Sequence, residues 1–184
     1  MHVLLLALQA KNGNRNSLEQ LVKIYYEDIY RYIYRKVSNE QIAMDLTQET
    51  FLKLTKAFPQ YKIEAKFTTF LYTIARNVVI DYYRWSSNRK EEGVVEEPSC
   101  SPYEEVDQKM YIESVLKQLP KEQVECIELY YYEGLKYNAI ATILNLPVST
   151  VKTRVRLGLK KCKVIMEGDE QYENVGCKER IAEA

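Results

Sequence analysis

The sequence predicts an all-α protein in which two small helical domains are joined by a flexible acidic linker and the C-terminal domain carries a helix-turn-helix. Apolar residues recur at the spacing of amphipathic helices through most of the chain. Residues 91–107 interrupt that spacing with Gly93, two prolines and an acidic run without Lys or Arg. We therefore place an N-terminal domain at residues 1–90, the linker at 91–107, a C-terminal domain at 108–167 and a polar tail at 168–184.

Composition limits the kinds of function that the chain can have. Its 184 residues include 26 basic and 26 acidic side chains, so the zero net charge predicts weak non-specific binding to nucleic acid. Four widely spaced cysteines without a secretory signal predict reduced thiols in the cytoplasm. The single histidine, and the lack of a glycine-rich phosphate loop or of a nucleophile beside a base, predict a protein without catalysis, cofactor, metal or small-molecule substrate.

The N-terminal domain is predicted to begin with three helices. The first covers residues 3–11. Ser17 and Ser38 each begin a capping-box pattern, so the second helix is predicted at residues 17–37 and the third at 38–58.

The third helix has one apolar side and one polar side. Its buried stripe is predicted to contain Ile42, Leu46, Phe51, Leu54 and Phe58. The opposite side presents a polar strip of Asp45, Gln48, Glu49 and Lys53. Packing within the domain gives no reason for this strip, so it is a candidate binding surface.

A fourth helix is predicted from Lys66 to about Arg89, after a loop at residues 61–66. Its buried side is predicted to contain Phe67, Phe70, Leu71, Ile74, Val78 and Tyr82. The remaining side chains are Lys66, Thr69, Arg76, Asn77, Arg84 and Trp85. Aromatic rings beside cations suit single-stranded nucleic acid, because bases stack on the rings while the cations hold the backbone. The alternative is that these aromatic side chains are simply core.

The C-terminal domain is predicted to contain four helices. Residues 110–119 and 121–133 form the first two, which are separated by a proline. Residues 138–144 form a short third helix, and Asn145-Leu146-Pro147 breaks it. Ser149 is a good N-cap for the fourth helix, because its hydroxyl can accept a first-turn amide. Two helices across such a tight turn are typical of a helix-turn-helix.

The last helix has one apolar side and one basic side. The side predicted to be buried contains Val151, Val155, Leu159, Cys162 and Met166. The helix start and the other side present Ser149, Thr150, Lys152, Thr153, Arg156 and Lys160, and residues 150–164 contain no Asp or Glu. Such a face suits the phosphate-lined major groove of DNA, where a helix N-terminus and its side chains meet the duplex. The alternative is a solvated basic helix that packs on its apolar side.

Four stretches of the chain carry a resemblance to a known family. In chain order they are KNGNRNSLEQLVKIYYEDIYRYIYRKV, DLTQETFLKL, FTTFLYTIARNVVIDYYR and LPKEQVECIELYYYEGLKYNAIATILNLPVSTVKTRV. They resemble the extracytoplasmic-function sigma factors, which are small promoter-recognition subunits of bacterial RNA polymerase, and they cover nearly all of the chain except the linker and the tail. The resemblance implies a sigma factor that binds core RNA polymerase, directs it to specific promoters and helps to melt the minus-ten element.

The resemblance also implies a role for each candidate residue. The helix with Asp45, Gln48 and Glu49 is implied to dock on the clamp helices of the largest polymerase subunit. Asn77 is implied to line a pocket for a base flipped out of the minus-ten element, with Tyr61, Lys62, Lys66 and Phe70 around it and Arg76 and Arg84 in the same segment. The helix after Ser149 is implied to enter the major groove at the minus-thirty-five element through Lys152, Thr153 and Arg156. An anti-sigma factor is the further partner that the family implies.

The sequence departs from the family pattern and leaves a second interpretation open. Ala139 stands where the family usually has Glu, Asn145 where it has glycine, and Leu157 and Leu159 where it often has arginines. The second interpretation is a free-standing helix-turn-helix regulator whose N-terminal helices sense a signal or dimerise. A remote third is a helical adaptor that never touches DNA. A regulator needs neither the polar strip nor a base pocket.

Overall fold

The computed structural model describes residues 2–62, 66–90 and 106–182, and its helices form two units. The first contains α1 (His2–Lys11), α2 (Arg15–Val37), α3 (Glu40–Ala57), a 3-10 turn at Phe58–Gln60 and α4 (Phe67–Lys90). The second contains α5 (Val106–Lys117), α6 (Lys121–Tyr131), most of α7 (Tyr137–Leu144) and α8 (Val148–Ala182). These ranges contain no strand, in agreement with the predicted all-α class. None of the described helices is long and apolar enough to span a membrane.

The predicted linker and tail can be compared with the structure only in part. All of residues 91–107 except the last two lie outside the described residues, and those two begin α5 at Val106. α8 passes Gly168, where the tail is predicted to start, and continues to Ala182. A glycine costs a helix only about 1 kcal/mol relative to alanine. The residues that follow include several helix-forming Glu, Lys and Arg residues. Gly168 therefore weakens the helix but does not end it.

A hydrophobic core holds the first unit together. α2 packs against α1, α3 and α4. Its buried apolar side chains are Leu21, Ile29, Tyr32, Ile33 and Val37. α3 contributes Leu46, Phe51 and Leu54, and α4 contributes Leu71, Ala75 and Val78. Burying each large apolar side chain contributes roughly 1.5–3 kcal/mol, so this packing determines which sides of α3 and α4 remain exposed.

Asparagines, and not the predicted serines, begin α2 and α3. Asn14 precedes α2, and its side-chain oxygen accepts a hydrogen bond from the Ser17 backbone N–H at 3.1 Å. Asn39 caps α3 in the same way at 3.0 Å. Ser17 is buried and its hydroxyl bonds to Gln9 Oε1 at 2.7 Å, while Ser38 adopts the left-handed conformation that ends α2. The predicted starts are therefore wrong, because an asparagine of equal capping ability occupies the extended backbone position that a cap requires.

The buried stripe of α3 is broader than predicted. Buried as expected are Leu46, Phe51, Leu54 and Phe58. Ile42 is only half-buried, whereas Thr47 and Thr50 are buried. Each threonine hydroxyl donates to the backbone carbonyl one turn earlier at 2.7 Å. A threonine satisfied in this way can enter a core, so a purely apolar pattern misses it.

A close contact between α6 and α8 organises the second unit. One hydrophobic cluster there contains Leu116, Leu119 and Ile127, with Val124, Cys162 and Ile165 half-buried against it. Gly158 allows the close approach, since a Cβ atom at that position would lie 2.6 Å from Ile127 Cδ1. The predicted core members Leu159 and Met166 are each 38% exposed. The sequence pattern assigns the larger apolar side chains of α8 to the core. A close approach of two helices instead requires the smallest residue, glycine, at the point of contact.

The turn after α7 has the tight geometry that a helix-turn-helix requires. Asn145 adopts a left-handed conformation with a φ of 54°. The Leu146 N–H then donates to the Ala141 carbonyl at 2.9 Å, which satisfies one of the last helical carbonyls. Glycine is the residue most favoured in this conformation and asparagine is also tolerated. Asn145 therefore preserves the backbone geometry at a position where the sequence departs from the family pattern.

α8 begins slightly earlier than predicted. Val148 is its first residue, and the Pro147 carbonyl accepts the first hydrogen bond, from the Val151 N–H at 3.2 Å. Ser149 consequently lies inside the first turn and is not the N-cap. Proline can take the position before a helix because its missing N–H has no helical partner there. Val151 and Val155 are buried as predicted, which turns the other side of α8 to solvent.

Candidate functional site

The polar strip of α3 is open to solvent. Asp45 and Gln48 are exposed and Glu49 is partly exposed, and their spacing of three and four residues puts them on one side of the helix. Met44 and Leu52 share that side and are 40% and 63% exposed. Neither is among the residues predicted from the sequence, although each lies one turn from Gln48. A polar strip beside exposed apolar side chains is suited to binding another protein.

Lys53 connects this strip to α4. Its Nζ lies 3.0 Å from Glu49 Oε1 and 3.0 Å from Asp81 Oδ2. The hydrogen bond with Glu49 is the main cause of the raised pKa of Lys53, and the bond with Asp81 adds to it. The three side chains are 40–54% exposed, so each pair contributes at most about 1 kcal/mol. The pairs chiefly orient Glu49 and Asp81 towards one ammonium group.

An aromatic cluster lies between the end of α3 and the start of α4. Phe58, Tyr61, Phe67 and Phe70 form it, with ring centroids 5.1–6.5 Å apart. Tyr61 is 1% exposed, and burial raises the pKa of its phenol. Its ring therefore lies in the core, with its centroid 5.1 Å from that of Phe70. Phe70 is half-buried and is the member of the cluster that reaches solvent.

The side of α4 that continues from Phe70 is polar and open. Asn77 and Arg84 follow Phe70 at intervals of seven residues, close to two helical turns, so the three lie along a line of roughly 20 Å. Asn77 and Arg84 are exposed. The end of this line borders a shallow groove lined by Ile80, Tyr83, Arg84 and Ser87. The line combines a ring for stacking, an amide for a base edge and a guanidinium for phosphate.

The other cations predicted near α4 are placed less uniformly. Lys62 and Lys66 are exposed and precede the helix. Lys66 stands one turn before Phe70 and continues the same line. Arg76 is half-buried and lies about 100° around the helix from Asn77. The structure therefore groups Lys66 with Asn77 and leaves Arg76 off the line.

The exposed side of α8 is basic, as predicted. The exposed members are Ser149, Lys152, Thr153, Arg156 and Lys160, and Thr150 is half-buried beside them. The exposed members fall within an arc of about 100°, calculated from 3.6 residues per turn. Arg154 instead contacts the buried thiol of Cys126, whose pKa is raised by burial although the guanidinium acts in the opposite direction. The described residues contain no group of His, Cys, Asp and Glu arranged to hold a metal ion.

A pair of stacked tyrosines lies beside the basic side of α8 and is not predicted from the sequence. Tyr130 in α6 and Tyr137 in α7 have ring centroids 4.7 Å apart and planes that differ by 6°. Lys152 Nζ lies 6.0 Å from the centroid of the Tyr137 ring. No periodic pattern within one helix could reveal this arrangement, because its three members come from three helices.

Two family models match the chain in the order of its two units. Residues 21–89 match Sigma-70 region 2, and residues 109–162 match Sigma-70, region 4. The chain is 31% identical over 166 residues to the ECF RNA polymerase sigma factor SigW of Bacillus subtilis (strain 168). That alignment covers 82% of this chain and 89% of SigW.

Two solved structures have the same fold. CnrH, in complex with the cytosolic domain of CnrY, has a TM-score of 0.71 at 23% identity, covering 92% of this chain and 99% of that one. RpoE, in complex with the anti-sigma factor NepR from Bartonella quintana, has a TM-score of 0.69 at 20% identity, covering 81% and 96%. With both sigma regions matched over more than half of its length, the chain belongs to the extracytoplasmic-function sigma factors, the subunits that direct RNA polymerase to promoters.

Proposed function

We propose that the two units divide promoter recognition between them. Residues 1–90 bind core polymerase and the minus-ten element, and residues 108–167 read the minus-thirty-five element. Residues 91–107 connect the two and span at most roughly 60 Å when extended, at about 3.3–3.6 Å per residue. One turn of DNA is only about 34 Å long, so the connection is long enough for both units to reach separated elements of one duplex.

Polymerase binding is assigned to the strip of Asp45, Gln48 and Glu49, with the clamp helices of the largest subunit as its partner. The exposure of Asp45 and Gln48 supports this assignment, because exposed polar side chains on one side of a helix can contact a partner protein. The exposed Leu52 lies one turn beyond Gln48 on the same side of α3 and adds an apolar anchor of the kind that carries binding energy in interfaces.

Recognition of the minus-ten element is assigned to the line from Lys66 to Arg84. Asn77 hydrogen-bonds the edge of a base that has left the stack, the half-buried Phe70 contacts its face, and Lys66 and Arg84 bind flanking phosphates. Extruding a base costs a few kcal/mol, which contacts at Asn77 and Phe70 offset. Binding and local melting are then one event. Tyr61 is a core residue that packs against Phe70, with ring centroids 5.1 Å apart, and so supports the Phe70 ring.

Recognition of the minus-thirty-five element is assigned to the basic side of α8. Lys152, Thr153 and Arg156 face the major groove, while Ser149, Thr150 and Lys160 flank them along the phosphate backbone. The burial of Val151 and Val155 on the opposite side supports this orientation. The tight turn at Asn145 sets the angle at which α7 and α8 meet.

Polymerase supplies the active centre, so the chain carries no catalysis of its own and acts in the cytoplasm with that enzyme. An anti-sigma factor is its second proposed protein partner. The complex of RpoE with the anti-sigma factor NepR supports this choice by similarity of fold.

The observation that carries the proposal is the pairing of an exposed acidic strip on α3 with an exposed Asn77 on the adjoining α4, in the unit that matches Sigma-70 region 2. Run-off transcription tests it. Purified bacterial core polymerase is mixed with the chain and a library of linear templates whose promoter region is randomised. We expect discrete transcripts that depend on the chain and share two sequence elements. Duplex binding by the chain alone, with no transcript, would instead support the free-standing regulator.

A further inference from the structure

Tyr137 contacts one residue on each of two neighbouring helices. Its ring stacks on Tyr130 of α6, and Lys152 of α8 lies over it at 6.0 Å. We propose that Tyr137 is a positioning residue for Lys152 at the upstream promoter element, with Tyr130 holding the Tyr137 ring in place. This inference rests on the DNA-binding role proposed above for Lys152.

Neighbouring aromatic rings restrict the orientation of the Tyr137 ring. The two stacked rings are parallel within 6° and their centroids are 4.7 Å apart. Tyr131 meets Tyr130 edge-on at 4.9 Å and 82°. A phenol is already neutral at physiological pH, and burial, followed by the hydrogen bond with Tyr130, raises the pKa of Tyr137 further above its ordinary value. A neutral ring in a fixed orientation presents a constant negative face to a cation.

Lys152 benefits from such a face because its side chain is exposed and long. A solvated lysine samples many rotamers, and most of that freedom is lost when its ammonium binds a base or a phosphate. An ammonium within about 6 Å of a ring centroid is attracted to the ring. The attraction restricts Lys152 before DNA arrives and so reduces the entropy lost on binding.

The position of Lys152 matters because it is the first cation on the exposed side of α8, ahead of Arg156, Lys160 and Lys163. The N-terminal part of a recognition helix is the part that meets base edges in the major groove. The placement of Lys152 therefore affects the part of α8 that is proposed to contact the bases.

The size of the effect follows from the interaction with the ring. A cation–π contact at an exposed site corresponds to about two- to fivefold in a binding constant. We expect Tyr137→Leu to weaken binding to the upstream element by about this factor. Tyr137→Phe keeps the ring and should bind like the unsubstituted chain, and this rescue separates the ring from the hydroxyl.

A double-mutant cycle tests the proposal in the complex of the full chain with core polymerase. The probe is the best-bound duplex selected by that complex from a library randomised in the upstream region. Binding is measured for Tyr137→Leu, Lys152→Ala and the double variant. The proposal expects Tyr137→Leu to have no further effect once Lys152 is absent. Losses that multiply, or no loss for Tyr137→Leu, would overturn it. If Lys152→Ala alone has no effect, the DNA-binding role of Lys152 fails first and the positioning role fails with it.

Two further measurements separate positioning from folding. Ile112→Ala removes an apolar side chain of α5 that is 45% exposed and is not part of the stacked tyrosines, so it should leave binding unchanged. NMR of the full chain should show ring-current shifts on the Lys152 side-chain methylene protons, and Tyr137→Phe should retain them. This spectrum needs no disruptive variant, so it decides the matter even if Tyr137→Leu does not fold. Unshifted protons in the unsubstituted chain would refute the placement.

Discussion

Lys53 on α3 and Asp81 on α4 form a 3.0 Å ion pair between the two helices that carry the proposed polymerase and minus-ten sites. The Lys53 ammonium also lies 3.0 Å from Glu49 Oε1 in the polar strip of α3. A single cation is thus shared by a carboxylate on each helix. Because the three side chains are well exposed, we interpret the arrangement as a device for orientation and not as a source of stability.

The Lys53–Asp81 pair should contribute little to folding. We expect Asp81→Ala to lower the free energy of unfolding by no more than about 1 kcal/mol. In 1 M salt the effect should be clearly smaller, since the screening length there, about 3 Å, is similar to the separation of the pair. Urea titrations at low and high salt measure both quantities. Glu27→Ala is a matched control, because Glu27 pairs with Arg31 within α2 and is similarly exposed. A loss that is several times larger and insensitive to salt would contradict this prediction.

The same pair predicts a dependence of stability on pH. The pKa of Lys53 is raised above its ordinary value of 10.5, first by the hydrogen bond with Glu49. Its stabilising contribution is therefore fully present below that ordinary value and is lost as the pH rises through the raised value. Urea titrations across this range should show a smaller decline for Lys53→Met than for the unsubstituted chain. An equal decline in both proteins would exclude Lys53 as a source of the dependence.

The polar strip should be needed for polymerase binding and not for folding. We expect Asp45→Ala combined with Gln48→Ala to weaken association with core polymerase by about tenfold, the effect of losing a contact worth about 1.4 kcal/mol. Thermal unfolding should be unchanged because both side chains are exposed. Competition against the unsubstituted chain for core polymerase measures the affinity. Lys23→Ala, an exposed change on α2, is the control, and an unchanged affinity of the double variant removes the assignment.

Substitution of Asn77 should change the preference for the base at one position of the minus-ten element and leave the other positions unchanged. We expect Asn77→Ala to cost about 1–3 kcal/mol at one position of the minus-ten element and to relax the preference there. Transcription from templates substituted base by base measures this change. Ser86→Ala lies on the opposite side of α4 and should leave the preference intact. A uniform loss on every template would indicate that Asn77 has a structural role.

Tyr61 should behave as a core residue. We expect Tyr61→Ala to lower the free energy of unfolding by about 3–5 kcal/mol, the range for removing a buried aromatic side chain. Tyr61→Phe, which keeps the ring among Phe58, Phe67 and Phe70, should lose about 1 kcal/mol or less. Guanidinium titrations monitored by circular dichroism distinguish the two. A Tyr61→Ala variant of normal stability but with lost promoter recognition would instead place the ring at the DNA.

Gly158 should be required by the packing of α8 on α6. Alanine is the better helix former by about 1 kcal/mol, but its Cβ would lie 2.6 Å from Ile127 Cδ1. Overpacking of this kind costs typically about 1–3 kcal/mol, so we expect Gly158→Ala to be neutral or destabilising. Ile127→Val removes the opposing methyl group and should improve the stability of a chain that carries Gly158→Ala. Thermal melts of the four proteins test this, and additive effects would contradict it.

The sequence predicts the helices and their amphipathic sides because these depend on local spacing. A period of 3.6 residues places Asp45 with Gln48, and Lys152 with Arg156, in any fold that buries the opposite side. Start signals are less certain, because an asparagine near a serine can be the N-cap in its place. Asn14 and Asn39 show how that competition is decided by which residue has the extended backbone.

Composition and periodicity alone specify an all-helical chain with a polar strip, an aromatic segment and a basic helix. Packing between the helices is what buries Tyr61 while Phe70 reaches solvent, and what places Gly158 and not Leu159 at the contact of α8 with α6. It also brought Lys53 to Asp81 and Tyr137 to Lys152. These relationships join residues from different helices, and their distances depend on how the helices pack, which no local pattern encodes.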